Sequence, residues 1–185
     1  MIFNRHIRRA INKVRGSTNV DALVKQGLQL GDSVFISNTV IIDPSFCWLI
    51  SIGDDCTLTG GVCILAHDAS TKRHIGYTKI GRVSIGEKTF IGAGSTVLPG
   101  VEIGANVIIG AGSVVRDSIP DGKMAVGNPA VVVSSTADYV REHRERMKTR
   151  PCYPTEGWTL EGKITDRNKA TMLEELKDFE TAYIE

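Results

Sequence analysis

The chain reads as an all-β protein, a parallel solenoid with short helical segments at both ends, and three observations in its 185 residues carry that reading. Branched aliphatics recur at a six-residue step: Ile85, Ile91, Val97, Ile103, Ile109 and Val115. A glycine follows immediately at Gly86, Gly92, Gly104 and Gly110. Small residues (Ala93, Gly94, Ser95, Ala105, Ala111, Gly112 and Ser113) occupy the positions after these. Neither a period of 3.6 nor a sustained period of 2 gives this spacing. So short a repeat closes a triangular coil from three repeats. One branched residue per side points inward and stacks on its counterpart in the next coil, about 4.8 Å away. The glycine sits at the corner, where a side chain is unwelcome.

Composition limits the alternatives. Charged residues make up 23% and hydrophobic ones 42%, with a net charge of +1, so bulk charge gives no case for nucleic acid. The ends differ: residues 1–27 carry six basic and one acidic residue, whereas residues 151–185 carry four basic and eight acidic. One end docking on the other, within or between subunits, is compatible with that asymmetry. Cys47, Cys56, Cys63 and Cys152 show no metal-ligand spacing and read as reduced thiols, which favours a cytoplasmic protein. No apolar run has the length of a membrane span, and the basic N-terminus lacks the apolar core of a signal peptide.

In chain order, residues 1–27 form a basic N-terminal segment. Ile2, Ile7, Ala10, Ile11 and Val14 fall on one helical face among arginines and a lysine. Such a helix packs on its own domain or a neighbour; the other possibility is an anionic membrane surface. Residues 28–133 form the solenoid. Leu30, Ile36, Ile42 and Trp48 keep the six-residue step, and a slip then sets a new register at Ile52, Leu58 and Ile64. From Ala66 to Lys79 the period stops, which predicts a loop thrown out from one corner, and it resumes at Ile80-Gly81. Residues 134–185 are a C-terminal helical extension. The valines at 131–133 make a last strand, residues 136–148 a helix, and residues 171–184 a second helix whose capping box is Thr171 with Glu174. An extended arm spans residues 151–167.

His67 is the candidate catalytic residue. It stands three residues after Ile64, an inward position, at the root of the extruded loop. An alcohol is a poor nucleophile at neutral pH, and an imidazole is suited to take its proton. His74, further along the loop, reads as a solvated residue.

The stretches Ile52-Gly-Asp-Asp, Ile64-Leu-Ala-His-Asp, Ile91-Gly-Ala-Gly-Ser, Ile109-Gly-Ala-Gly-Ser-Val-Val and Val126-Gly-Asn-Pro-Ala together resemble the hexapeptide-repeat acyltransferases. The resemblance is closest to the maltose/galactoside O-acetyltransferase group and covers roughly residues 28–133. It implies a left-handed parallel β-helix, a homotrimer, and acetyl-CoA lying in a groove between subunits. It also implies His67 as general base and a backbone N–H at Ala93 toward the thioester oxygen. Gly94, Ala111 and Gly112 would line the pantetheine track, with Asn128, Pro129 and Ala130 near the adenine end. A bulky side chain at Ala93 or Ala111 would block that approach. Members of the group often carry a basic residue after Asn-Pro-Ala; Val131 stands here, so phosphate charge must be met elsewhere, by Arg116, Lys123 or arginines of residues 141–150.

Asp43, Trp48 and Asp68 are candidates for holding the acceptor. The Trp48 indole either stacks on a sugar face or fills a wide coil. Asp68 either orients His67, binds a hydroxyl, or is an exposed loop carboxylate. The activity this implies is acetyl transfer to a hydroxyl of a sugar or sugar-containing precursor, with no metal. The rivals are N-acetylation of an amino sugar, inactivation of an antibiotic, and a non-catalytic trimeric scaffold. A zinc carbonic anhydrase on the same solenoid would need three converging histidines, and only His67 and His74 are near the right place.

Overall fold

The computed structural model describes residues 19–185, so the helix expected over residues 2–14 lies outside the described residues. The chain forms two compact units, one ending at Thr136 and the other running Ala137–Glu185.

The first unit opens with a short helix the sequence pattern did not suggest, α1 (Val20–Lys25), whose cap is the Asn19 side chain accepting from the Ala22 N–H at 3.1 Å. Four coils follow. The first is β1 (Gln29–Leu30), β2 (Phe35–Ile36) and β3 (Ile41–Ile42); the second is β4 (Ile50–Ile52), β5 (Thr57–Leu58) and β6 (Cys63–Ile64). The extruded loop is an antiparallel ribbon, β7 (His67–Asp68) paired with β8 (Lys79–Ile80), with a four-residue helix α2 (Lys72–Ile75) at its tip. The third coil is β9 (Val83–Ile85), β10 (Phe90–Ile91) and β11 (Thr96–Val97); the fourth is β12 (Glu102–Ile103), β13 (Ile108–Ile109) and β14 (Val114–Val115). A long hairpin, β15 (Lys123–Gly127) with β16 (Ala130–Ser135), closes the stack.

Strands stack in register into three faces. Face A orders β1-β4-β9-β12, face B orders β2-β5-β10-β13-β15-β16, and face C orders β3-β6-β11-β14. All pairs between coils are parallel, as with Ile85↔Ile103, Ile91↔Ile109 and Val97↔Val115. The six-residue aliphatics form the core. Ile52, Leu58, Ile64, Ile85, Ile91, Val97, Ile103, Ile109 and Val115 are all buried, each worth about 1.5–3 kcal/mol against an exposed side chain.

The expected turning role of the repeat glycines needs correction. Gly86 and Gly92 have no unusual φ; a Cβ on them would lie 2.4 Å from the Ala105 nitrogen and 2.5 Å from the Ala111 nitrogen of the next coil. They are glycines because coils touch there. The bend falls two residues later, in left-handed backbone. On the edge between faces A and B that position is Ser33, Asp55, Lys88 and Asn106, with φ of 57°, 56°, 57° and 54°. We expect Gly86→Ala to cost about 1–3 kcal/mol through overpacking, read as a lowered Tm in a thermal melt; an unchanged Tm would show that the coils give way.

Two further expectations change. Trp48 is not an inward repeat residue: Cys47–Leu49 form a 3-10 turn in an insertion at the edge between faces C and A, and Cys47 takes the buried place. Ile80 is exposed on the loop ribbon, and the inward register restarts at Val83 and Ile85.

In the second unit, α3 begins in the first and spans Thr136–Met147, close to the expected helix. The later helix is displaced. It runs Asp166–Glu175 (α4), capped by Thr165 accepting from the Asn168 N–H at 3.1 Å, and Thr171 is interior to it. Residues 183–184 are a strand (β18, Tyr183–Ile184) paired with β17 (Cys152–Tyr153), inside the span expected to be an arm. Tyr153 stacks on Trp158 at 4.6 Å and donates to Glu175, which pushes its phenol up to about 12. Among the described residues no helix is long and apolar enough to cross a membrane.

Candidate active site

The site is built where two interruptions of the coil meet on the edge between faces C and A. One is the insertion leading from β3 to β4; the other is the extruded loop after β6. Asp43 opens the first. Its side chain is buried, and three donors converge on it. One oxygen accepts from the Ser45 N–H at 3.0 Å; the other accepts from the Ala66 N–H at 3.0 Å and from His67 Nδ1. Burial pushes this carboxyl up, but the hydrogen bonds from His67, Ser45 and Ala66 outweigh it and hold it below its ordinary value.

A carboxylate only accepts, so Nδ1 of His67 carries the hydrogen, and in the neutral ring the lone pair is on Nε2. The His67 side chain is 32% exposed, open on one side to solvent. Phe46, from the insertion, packs against the imidazole with ring centres 5.3 Å apart, and Trp48 packs against Phe46 at 5.6 Å. Trp48 itself is 51% exposed. Asp43 and Phe46 thus fix the ring from two sides. The result is an oriented imidazole beside an exposed aromatic pair, an arrangement that, with the ring neutral, can take a proton from a hydroxyl placed against it.

Of the acceptor candidates, Asp43 is therefore out of reach of a ligand, and it rather than Asp68 orients His67. Asp68 is exposed and turns back on its own loop, accepting from the Ser70 N–H at 2.9 Å, a bond that lowers its pKa. Trp48 stays on the open side, and His74 is exposed on α2. Sequence reasoning missed Phe46 and the Asp43–His67 pair. The signal was present: Asp43 directly follows the inward Ile42, one coil before His67 follows the inward Ile64.

The small residues lie elsewhere. Ala93, Gly94, Ala111 and Gly112 are exposed on the edge between faces B and C, with Gly60 and Gly61 below and Gly127 and Asn128 above. Gly61, Gly94 and Gly112 take left-handed φ of 74°, 70° and 69°. The same bend on the A–B edge is made by Ser, Asp, Lys and Asn, so the turn alone does not demand glycine. What the B–C edge has is a run of bare, open backbone: a Cβ on Gly94 or Gly112 would meet nothing within 4 Å. Ser95 and Ser113, buried beneath it, both donate to the Gly110 carbonyl, at 2.9 and 2.7 Å. Asn128 and Pro129 are exposed at the tip of the β15–β16 hairpin, whereas Ala130 is buried. Arg116 lies on the C–A edge, paired with Asp117 at 3.0 Å, apart from this groove.

The six-residue repeat that builds this solenoid is also the mark of a known family. Residues 82–117 match the family described as bacterial transferase hexapeptide (six repeats). Protein CapG of Staphylococcus aureus is 40% identical over 124 residues, covering 64% of this chain and 72% of CapG. The putative acetyltransferase YvoF of Bacillus subtilis is 33% identical over 122 residues, 65% of this chain and 66% of YvoF. Among solved structures, the hexapeptide-repeat acetyltransferase VCA0836 of Vibrio cholerae, complexed with acetyl coenzyme A, aligns with a TM-score of 0.54 at 20% identity, over 71% of this chain and 86% of that one. The chain belongs to the hexapeptide-repeat transferase family; it is an acetyltransferase of that class, with the left-handed parallel β-helix as its fold.

Proposed function

We propose that the protein is an acetyl-CoA-dependent O-acetyltransferase acting on a hydroxyl of a sugar or sugar-containing precursor. The observation that carries this is the buried Asp43 holding the His67 imidazole with Nε2 free. The acceptor oxygen attacks the thioester carbonyl as Nε2 takes its proton. The Ala93 N–H meets the oxyanion, and collapse expels the CoA thiolate, which recovers the proton from the imidazolium. The products are an acetyl ester and CoA. Ala111, Gly112 and the Asn128-Pro129 tip receive the remainder of acetyl-CoA, and the four free thiols fit a reducing cytoplasm.

In one chain His67 and Ala93 lie on different edges, separated by face C. A parallel three-fold assembly with face C inward brings the C–A edge of one copy against the B–C edge of the next. The outer residues of face C are Ile41, Cys63, Thr96 and Val114, uncharged, whereas those of face A are Gln29, Ser51, Ser84 and Glu102. These features support a homotrimer with shared sites.

Release of CoA thiol on adding sugars to the protein with acetyl-CoA tests the reaction; no release with any hydroxyl acceptor would sink it. The shared site has its own test. His67→Ala and Ala111→Trp chains should each be inactive alone, and refolding them together should restore part of the activity. Inactivity of the mixture would place the whole site within one chain.

A further inference from the structure

The three edges of the prism carry different charge. The B–C edge, with residues 37–40, 59–62, 92–95, 110–113 and 126–129, has no charged residue at all. The A–B edge is acidic, with Asp32, Asp54, Asp55, Glu87 and Asp121 against Lys88. The C–A edge, where His67 stands, gathers Lys72, Arg73, Lys79 and Arg82 on the extruded loop and its return and Arg116 on the last coil, against Asp43, Asp68 and Asp117. Among the described residues Lys72, Arg73 and Arg82 form no ion pair, while Lys79 lies near Asp68. In a chain of net charge +1 this sorting concentrates positive potential on the edge that holds the base.

The cations are better placed for the acceptor than for the cofactor. The groove runs from Ala93 through Ala111 to Asn128, away from the coil that bears the loop, so the phosphate end of acetyl-CoA lies toward the last coil. The loop stands at the opposite end. The loop begins at His67, against which Phe46 packs, and Trp48, packed on Phe46, presents an exposed indole to whatever docks there. An indole face suits the C–H surface of a pyranose, and ammonium and guanidinium groups suit a carboxylate or phosphate.

We propose that the acceptor is an anionic sugar, bearing a carboxylate or a phosphate, seated between the Trp48 indole and the cations of the extruded loop. This rests on the sugar-acetylation reading above and narrows it.

The test uses the full chain with acetyl-CoA and three acceptors: glucose, glucuronic acid and glucose 1-phosphate. The expected kcat/KM for at least one anionic sugar exceeds that for glucose by about tenfold or more. Which of the two leads tells carboxylate from phosphate. In Lys72→Gln/Arg73→Gln that ratio should collapse toward one, with the loss in the acceptor KM. A ratio near one in the wild type, or a loss confined to the acetyl-CoA KM, overturns the proposal. Indole emission in a Trp158→Phe background gives a readout independent of turnover. Glucose 1-phosphate or glucuronic acid should quench Trp48, more weakly as salt is raised. Turnover of glucose with no anionic preference would leave the acetyltransferase reading standing and remove this one; absence of both turnover and quenching removes both.

Discussion

His67→Ala is expected to lower acetyl transfer by at least about 10²-fold, the contribution a positioned general base makes. Acetyl-CoA affinity and the oligomeric state should hold, since the proposed cofactor track lies on another edge of the solenoid. The substitution also removes one of the three hydrogen bonds on the buried Asp43 carboxylate, so a modest loss of stability accompanies it. His67→Asn separates the two effects, because its amide can still donate to Asp43 from near the place of Nδ1 while offering no base at Nε2. It should match the alanine variant in turnover and exceed it in Tm. Turnover within a few fold of wild type in either variant would take His67 out of the chemistry.

Asp43→Asn is expected to be almost as damaging, by about 10²-fold or more, though it touches no substrate. Three donors converge on the Asp43 oxygens: the Ser45 N–H, the Ala66 N–H and His67 Nδ1–H. An amide has one oxygen and brings two donors of its own, so at least one N–H must face another. With the amide oxygen turned toward Ser45, its N–H meets Nδ1, and the imidazole answers by moving its hydrogen to Nε2, so the base is lost; wrong-tautomer variants of serine proteases lose about 10⁴-fold. A merely structural role predicts a lower Tm with little change in kcat per folded molecule, so kcat and the melt must be measured together. Acid stability gives a second readout. Asp43 is held below its ordinary 3.8, so the stability it lends is fully present above that value. It is lost as pH falls through the lower, folded value. The Tm gap between wild type and Asp43→Asn should therefore narrow below about pH 4.

Much of this molecule is legible in its residues because the repeat is local. A six-residue step of branched aliphatics admits few packings, so Ile85 to Val115 announces three faces and their register. The break at Ala66–Lys79 likewise announces the loop, and the helix over 136–147 follows from its period. Expectation and structure differ where local patterns compete. Thr165 and Thr171 both offer a cap, and the helix begins at the earlier one. Trp48 keeps the six-residue step by count alone, while the small thiol of Cys47 fills the core and leaves the indole outside.

The sequence by itself determined the solenoid, its core stacks, its extruded loop and the histidine at the loop's root, because each is written in residues close together along the chain. Only the tertiary structure decided that Asp43 orients His67, that Phe46 braces it, and that base and groove stand on different edges. Those relations join residues of successive coils, and a coil's contacts depend on how many residues each corner absorbs, which short-range spacing does not encode.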